Sequence, residues 1–405
     1  MPGISDRLKS LGVKVGGKEI KPPGDHVRFP IDLVLEGRII DTIYGQTYLR
    51  EQVFHLDHRH GYRKLELTPS IHRLGPLIGN LDIASLDPTS ILFLDTETSG
   101  LAGGTGTYVF LVGIGRFETD GFHLNQYFLR DPSEEKAHLT ALLGTLLDAG
   151  VLVTYNGRAF DAPLLNTRYI LHDDRPPLRD TPHIDLLPLA RRLWRDRLSS
   201  RRLGYVEEKV LNVSRSGEDI PGWLIPSMYF DYLRSGDARP LSQVFYHNAM
   251  DILSLVALLN HVSEMVDHPH GEAVQLGVEL IALGKIFEDL GHIDDAALCY
   301  SRGLDSELPY DVRCEAIHRW SALEKRRSNL EVSIQLWQEA AKNKEMYAFE
   351  ELAKVYEHQI KDIDQAIFWT ESALNLIQSQ EIEAFQRNYW QAQLEHRRER
   401  LYRKR

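Results

Sequence analysis

Two carboxylates two residues apart, Asp95 and Glu97, follow directly on the apolar run Ile91, Leu92, Phe93, Leu94. The run reads as a buried strand. Residues two apart in a strand point to one face, so both acids project together from the strand's end. Side by side they repel unless a cation stands between them, and hard divalent ions such as Mg²⁺ favour such oxygen ligands. Two more acidic stations follow. Val151 to Thr154 is a short apolar strand that runs through Tyr155, Asn156 and Gly157 to Phe160 and Asp161. Tyr246, His247, Asn248, Ala249, Met250 and Asp251 then lead into Ile252, Leu253, Leu255, Val256 and Leu258, an apolar spacing that is helical. Four apart, His247 and Asp251 share one helix face.

The elements that must carry these residues are legible around them. Tyr108–Phe117 and Phe122–Leu129 read as strands joined at Asp120-Gly121, a good hairpin turn. Glu134–Leu147 reads as an amphipathic helix feeding the strand Val151–Thr154. His183 to Leu187 opens another strand-to-helix passage, in which Asp185 precedes a helix and reads as its cap. Strands interleaved with helices predict a mixed α/β sheet. The glycine-rich run Gly100–Gly106 lacks the Gly-Lys-Ser/Thr ending of a nucleotide-triphosphate loop. It reads as a turn that lets backbone approach a ligand.

The chain is expected to divide at 1–87, 88–266 and 267–405. The first part holds a loop at Lys21-Pro22-Pro23-Gly24 and a plausible hairpin in Ile39–Phe54 broken by Gly45. Its His55, His58 and His60 lack the carboxylate or cysteine frame of a metal site and read as packed or surface histidines. Beyond Asp267 and Gly271 the pattern is helical throughout. Leu283-Gly284 with Phe287, Ala297 and Tyr300 resembles a tetratricopeptide unit; Leu352-Ala353 with Tyr356, Ala366 and Trp369 repeats it, and a weaker copy lies around Trp320, Leu323 and Trp337. Stacks of this kind offer a concave surface for a protein or a nucleic acid.

At 405 residues two or three domains are expected. Two cysteines, Cys299 and Cys314, exclude a cysteine-type zinc site and read as free thiols of a reducing cytoplasm. No secretory leader and no apolar run of membrane-spanning length stands out. The net charge of −11 speaks against a wholly basic nucleic-acid binder, but recognition of phosphate needs only local positive charge. Arg191, Arg192, Arg195, Arg197, Arg201 and Arg202 cluster around Trp194, and Lys209 follows; as they lie between the second and third acidic stations, they are expected to touch phosphate. A second basic group, Arg397, Arg398, Arg400, Arg403, Lys404 and Arg405, reads as a solvated helix face or charged tail.

The three acidic stations, in this order, resemble the exonuclease motifs of the DEDD superfamily, which has a ribonuclease H-like fold. The resemblance covers about residues 88 to 262. It is closest to the YprB-type bacterial proteins, which join such a domain to helical repeats and include a mitomycin-repair exonuclease. It implies a 3′→5′ exonuclease using two Mg²⁺ or Mn²⁺ ions, with DNA as substrate and RNA as the alternative, a role in repair, and cooperation with a repair helicase. Asp95 would bridge both ions, Glu97 and Asp251 would complete the site of the water-activating ion, Asp161 would hold the second, and His247 would be the base. Thr98, Ser99 and Leu101 would lie at the 3′ end, with Asn156 steering the site. In the superfamily the base is His five before the last Asp or Tyr four before it; here Tyr246 is five before Asp251 and His247 four before. Imidazole is the better proton acceptor near neutrality, which favours His247.

Overall fold

The computed structural model describes residues 29–67, 69–78, 87–100, 105–217, 219–379 and 384–405. Contacts divide the chain into two units. The first unit comprises residues 1–66, 86–185 and 212–257, and the second residues 67–85, 186–211 and 258–405.

The first unit is built on a seven-stranded sheet. Its strands are β1 (Arg38–Thr42), β2 (Gly45–Phe54), β5 (Ile91–Thr98), β6 (Val109–Glu118), β7 (Gly121–Phe128), β8 (Val151–Thr154) and β9 (His183–Asp185), while β3 (Arg59–His60) and β4 (Arg63–Lys64) form a small separate hairpin. The order is β1-β2-β7-β6-β5-β8-β9. Strands β1, β2, β7, β6 and β5 pair antiparallel, and β5, β8 and β9 are parallel. The interior strand β5 opens on four apolar residues without alternation because both faces are covered.

On one face, helices α1 (Glu135–Leu147) and α2 (Asp161–Leu171) pack Leu139, Leu142 and Leu165 against Leu92, Leu94, Val112 and Ile114. On the other, α4 (Ile225–Ser235) and the start of α5 (Leu241–Asp267) bring Tyr229, Val244 and Phe245 against Tyr48, Phe110 and Phe128; α3 (Leu186–Leu193) lies between α2 and α4 in the chain. Helix α5 lies close to the sheet because β6 presents glycine beneath it. A Cβ at Gly113 would stand 2.3 Å from Asn248 Oδ1, and one at Gly115 2.7 Å from Ile252 Cγ2.

Two sequence expectations change here. The first boundary was set between residues 87 and 88, but β1 and β2 belong to the same sheet as β5–β9: β2 pairs with β7 from Tyr48↔Phe128 to Phe54↔Phe122, a register of in-phase apolar residues that local reading cannot see. Helix α5 also contains an apolar stretch long enough to cross a membrane, against the expectation that none stood out; 83% of that stretch is buried inside the protein, as in the core helix of a globular fold.

In the second unit, α6 (Gly277–Asp289), α7 (Ile293–Leu304), α8 (Tyr310–Arg326), α9 (Leu330–Lys342), α10 (Met346–Val355), α11 (Ile363–Gln378) and α12 (Ala384–Lys404) pack each against the next. Gly284 lets α6 approach α7: a Cβ there would meet the Tyr300 ring at 2.9 Å. The expected basic tail is the helix α12, with Leu394 and Leu401 buried and Arg397, Arg400 and Lys404 all on the Glu357 carboxylate. Cys299 and Cys314 are free.

Candidate active site

The end of β5, the start of α2 and the first turns of α5 bring the predicted acids together in the first unit. Asp95 and Glu97 project from β5 towards α5, where Asn248 donates from Nδ2 to Asp95 Oδ2 (2.8 Å). Asn248 is itself fixed: Gln126 Nε2 donates to its Oδ1 (2.9 Å) and to Phe245 O (2.8 Å), and Arg50 Nη1 donates to Gln126 Oε1 (3.3 Å). A buried chain of donors thus runs from β2 through β7 and α5 to Asp95, setting the carboxylate's rotamer. Asp161 is the first residue of α2, buried, and accepts a hydrogen bond from the Thr96 hydroxyl.

Burial and mutual repulsion act together on the acids. Asp95 titrates well above the usual carboxylate range, through burial first and then the charges of Asp251 and Asp161. Glu97 is likewise raised by burial, then by Asp95, Asp251 and Asp161. Burial pushes Asp161 up to about 6. Among the described residues Arg215 opposes this: its Nη2 donates to Asp251 Oδ1 and its charge lowers both Asp95 and Glu97. Four carboxylates against one guanidinium leave an excess of negative charge on hard oxygen donors, which suits a divalent cation.

His247 and Asp251 share a face of α5 as their spacing requires, with Nε2 3.6 Å from Asp251 Oδ2. Asp219 Oδ1 lies 2.8 Å from His247 Nδ1, and Arg215 Nη1 3.3 Å from the same nitrogen. A guanidinium can only donate and a carboxylate can only accept, so the nearer Asp219 decides: Nδ1 carries the proton and Nε2 is the acceptor. Tyr246 points elsewhere, its hydroxyl accepting from Ser216 N (3.0 Å).

The other predicted residues have more local duties. Ser99 Oγ accepts from Tyr108 N (2.9 Å) and Thr98 Oγ1 donates to Gly100 O (2.8 Å), which pins the chain leaving β5. Leu101, in the glycine-rich run, lies outside the described residues. Asn156 is exposed with φ 69°, and its backbone N–H donates to Asp185 Oδ1 (2.7 Å), while Arg158 N donates to Asp185 Oδ2 (3.2 Å). Asp185 therefore ties down the turn that delivers Asp161. His60 is buried against Ser254 (Nε2–Oγ 2.7 Å) and His58 packs edge-on against Phe54, so these two histidines have packing roles.

The arginine cluster belongs to the second unit. Arg192 pairs with Asp289, Arg195 with Asp196 and Glu315, and Arg197 with the buried Glu279, which also accepts from Trp194 Nε1; Arg201 donates to Leu198 O. Arg191 and Arg202 are exposed. Within that unit several of these arginines serve as internal ties.

Among the described residues, the group whose ligand atoms lie within 4.8 Å of one another is Glu118, Asp120 and His123 on the β6–β7 hairpin. The four converging carboxylates are more widely spaced than that. Sequence reasoning missed Arg215 and Asp219. They sit in a segment without apolar periodicity, and their partners on α5, Asp251 and His247, are more than 25 residues away in the chain.

The sheet, the helices on both its faces and the acidic strand end define a ribonuclease H-like domain. Consistent with this, residues 92–263 match the family RNase_H_2 of the RNase_H superfamily. Such a domain points to a nuclease that binds nucleic acid, and enzymes of this fold generally work with divalent metal ions. The chain is also 33% identical over 335 residues to the uncharacterized protein YprB of Bacillus subtilis (strain 168), covering 81% of this chain and 80% of that protein. It belongs to the YprB family.

Proposed function

We propose that this protein is a divalent-metal-dependent 3′→5′ exonuclease that acts on DNA in repair, within the cytoplasm. The observation that carries the reading is the convergence of Asp95, Glu97, Asp161 and Asp251 beside a histidine whose tautomer Asp219 fixes. Asp95, Glu97, Asp161 and Asp251 would hold two Mg²⁺ or Mn²⁺ ions. When bound, such ions supply an activated water and hold charge on the leaving oxygen. His247 Nε2 takes the proton of the attacking water, Asp219 steadies the imidazolium that forms, and Asn248 holds Asp95 in place. The stacked helices of the second unit are read as tetratricopeptide-like and as the seat of a protein partner, a repair helicase being the one the reading favours.

A 5′-labelled DNA strand, single and duplex, incubated with Mg²⁺, with Mn²⁺ or with chelator, tests this. The expected result is a descending ladder that needs metal and vanishes in Asp95→Ala. Intact DNA beside degraded RNA would turn the reading to RNA trimming, and cleavage of neither would leave a nucleic-acid-binding adaptor.

A further inference from the structure

Helix α5 has a second functional flank. Tyr246, Ala249, Met250 and Leu253 recur at helical spacing on a face different from that of His247 and Asp251. They wall a cavity of about 490 Å³ within the first unit. Its opposite wall is β2, where the alternate residues Arg50, Gln52 and Phe54 face inward, and its rim includes Arg59 and Ser214.

The lining has unmet chemical demands. Arg50 is partly buried, and burial lowers its pKa. Its hydrogen bond goes to a neutral amide, Gln126 Oε1, and among the described residues no carboxylate pairs with it. Arg59 spends Nη1 on a backbone carbonyl, that of Tyr62. Among the described residues, no acidic side chain lines the cavity. His60, on the same wall, is held neutral by burial, its pKa lowered to about 4. Independently, Gln52 Oε1 is buried with no hydrogen-bond partner among the described residues. A buried acceptor left unmatched is costly, and a ligand N–H or O–H would satisfy it. Phe54 and Tyr246 add aromatic surface to the walls. The two arginines call for an anion, Gln52 for a donor, and the rings for a flat or apolar body. A volume in the range of small-ligand sites holds all three together.

We propose that this cavity binds a nucleoside 5′-monophosphate unit, free or at the end of a strand, with its phosphate on Arg50 and Arg59 and a hydroxyl or amino group donating to Gln52. The site is separate from the carboxylates and does not depend on the reading of them as a nuclease centre. It nevertheless touches them through Arg50, whose hydrogen bond to Gln126 begins the chain of donors that ends on Asp95.

The test is equilibrium binding to the full chain in the presence of chelator, so that no metal chemistry contributes. The probes are adenosine 5′-monophosphate, adenosine, inorganic phosphate and a 5′-phosphorylated thymidine hexamer. The nucleotide, the phosphorylated hexamer or both should bind, with adenosine far weaker. Arg50→Gln should weaken that binding at least tenfold, and the rim variant Arg59→Gln several-fold, with thermal melts reporting that both fold. Gln52→Leu should weaken the nucleotide and leave inorganic phosphate unchanged. Asp95→Asn should bind as the wild type does. The proposal is overturned if neither phosphate-bearing probe binds, if binding survives both arginine substitutions, or if Asp95→Asn abolishes it, which would place the ligand among the carboxylates instead.

Discussion

Asn248→Ala probes the internal wiring of the carboxylate site. Asn248 is fully buried, and its Nδ2 is the side-chain donor to Asp95 Oδ2, at 2.8 Å. A hydrogen bond to a charged acceptor contributes about 1.5–3 kcal/mol. If Asp95 must keep its rotamer to act, the loss converts to roughly a 10- to 150-fold fall in kcat/KM. The same bond lowers the pKa of Asp95, so without it the carboxylate protonates more readily and the acid limb of the rate profile moves to higher pH. The fold should lose less. Gln126 Nε2 keeps its bond to Phe245 O, so a stability cost of about 1–2 kcal/mol is expected. Gly113→Ala approaches the same amide from below, with a methyl built 2.3 Å from Asn248 Oδ1. It should reproduce the kinetic defect and destabilise by about 1–3 kcal/mol through overpacking. Because Asn248→Ala clears the space that this methyl invades, the double variant should be less destabilised than the sum of the singles. The assay is metal-dependent turnover against pH, with denaturant melts of all three variants. Unchanged turnover and an unshifted acid limb in Asn248→Ala, or strictly additive stabilities, would refute the wiring.

Asp219→Asn should keep the fold and lower kcat roughly 10- to 100-fold with little change in KM, since an amide no longer enforces the Nδ1–H tautomer of His247; a pH–rate profile checks it, and an unchanged profile speaks against His247 Nε2 as acceptor. Trp223 is 69% exposed next to Gly222, where a Cβ would stand 3.8 Å from His247 Nε2. Trp223→Ala should weaken single-strand binding by about 1–3 kcal/mol through lost base stacking, measured by fluorescence titration. His138 is fully buried and its pKa is lowered to about 4. The unfolded chain therefore takes up its proton as pH falls below about 6.5 while the folded one resists, so stability falls with falling pH across that window, by about 3 kcal/mol at full development. In His138→Leu, urea melts between pH 7 and 4 should show that slope reduced.

The parts of the fold written in local patterns were readable in the sequence. The strand Val151–Thr154 has the predicted bounds, the hairpin turns one residue earlier than expected, at Thr119-Asp120 with Gly121 already paired to Glu118, and the helix expected over Glu134–Leu147 begins at Glu135. The acids of the candidate site were also visible, because strand and helix periodicities fix which residues share a face. What sequence could not show depends on distant partners. Strand β2, with β1 at its side, is placed by pairing with β7, some 75 residues on. Arg215 and Asp219 have meaning only beside α5, and the duty of Asp185 emerges only when β9 lies next to β8 and its oxygens reach Asn156 N and Arg158 N. The arginine cluster shows the same dependence: charge counted along the chain says nothing of the acids that meet it after folding, such as Glu279 and Asp289.

Among the described residues the seven-stranded sheet ends in two edge strands, and their makeup bears on how this protein behaves when crowded. One margin is β9, three residues long. The other is β1, five residues long, with Arg38 turned to solvent in an ion pair with Glu51 and Asp41 bonded to Gln46. A strand that short, or that charged, makes a poor template for another chain. Copies that gather at high density along one polymer would then meet without zipping sheet to sheet into aggregates, and the long apolar strands stay sequestered in the middle, where only the protein's own chain can reach them.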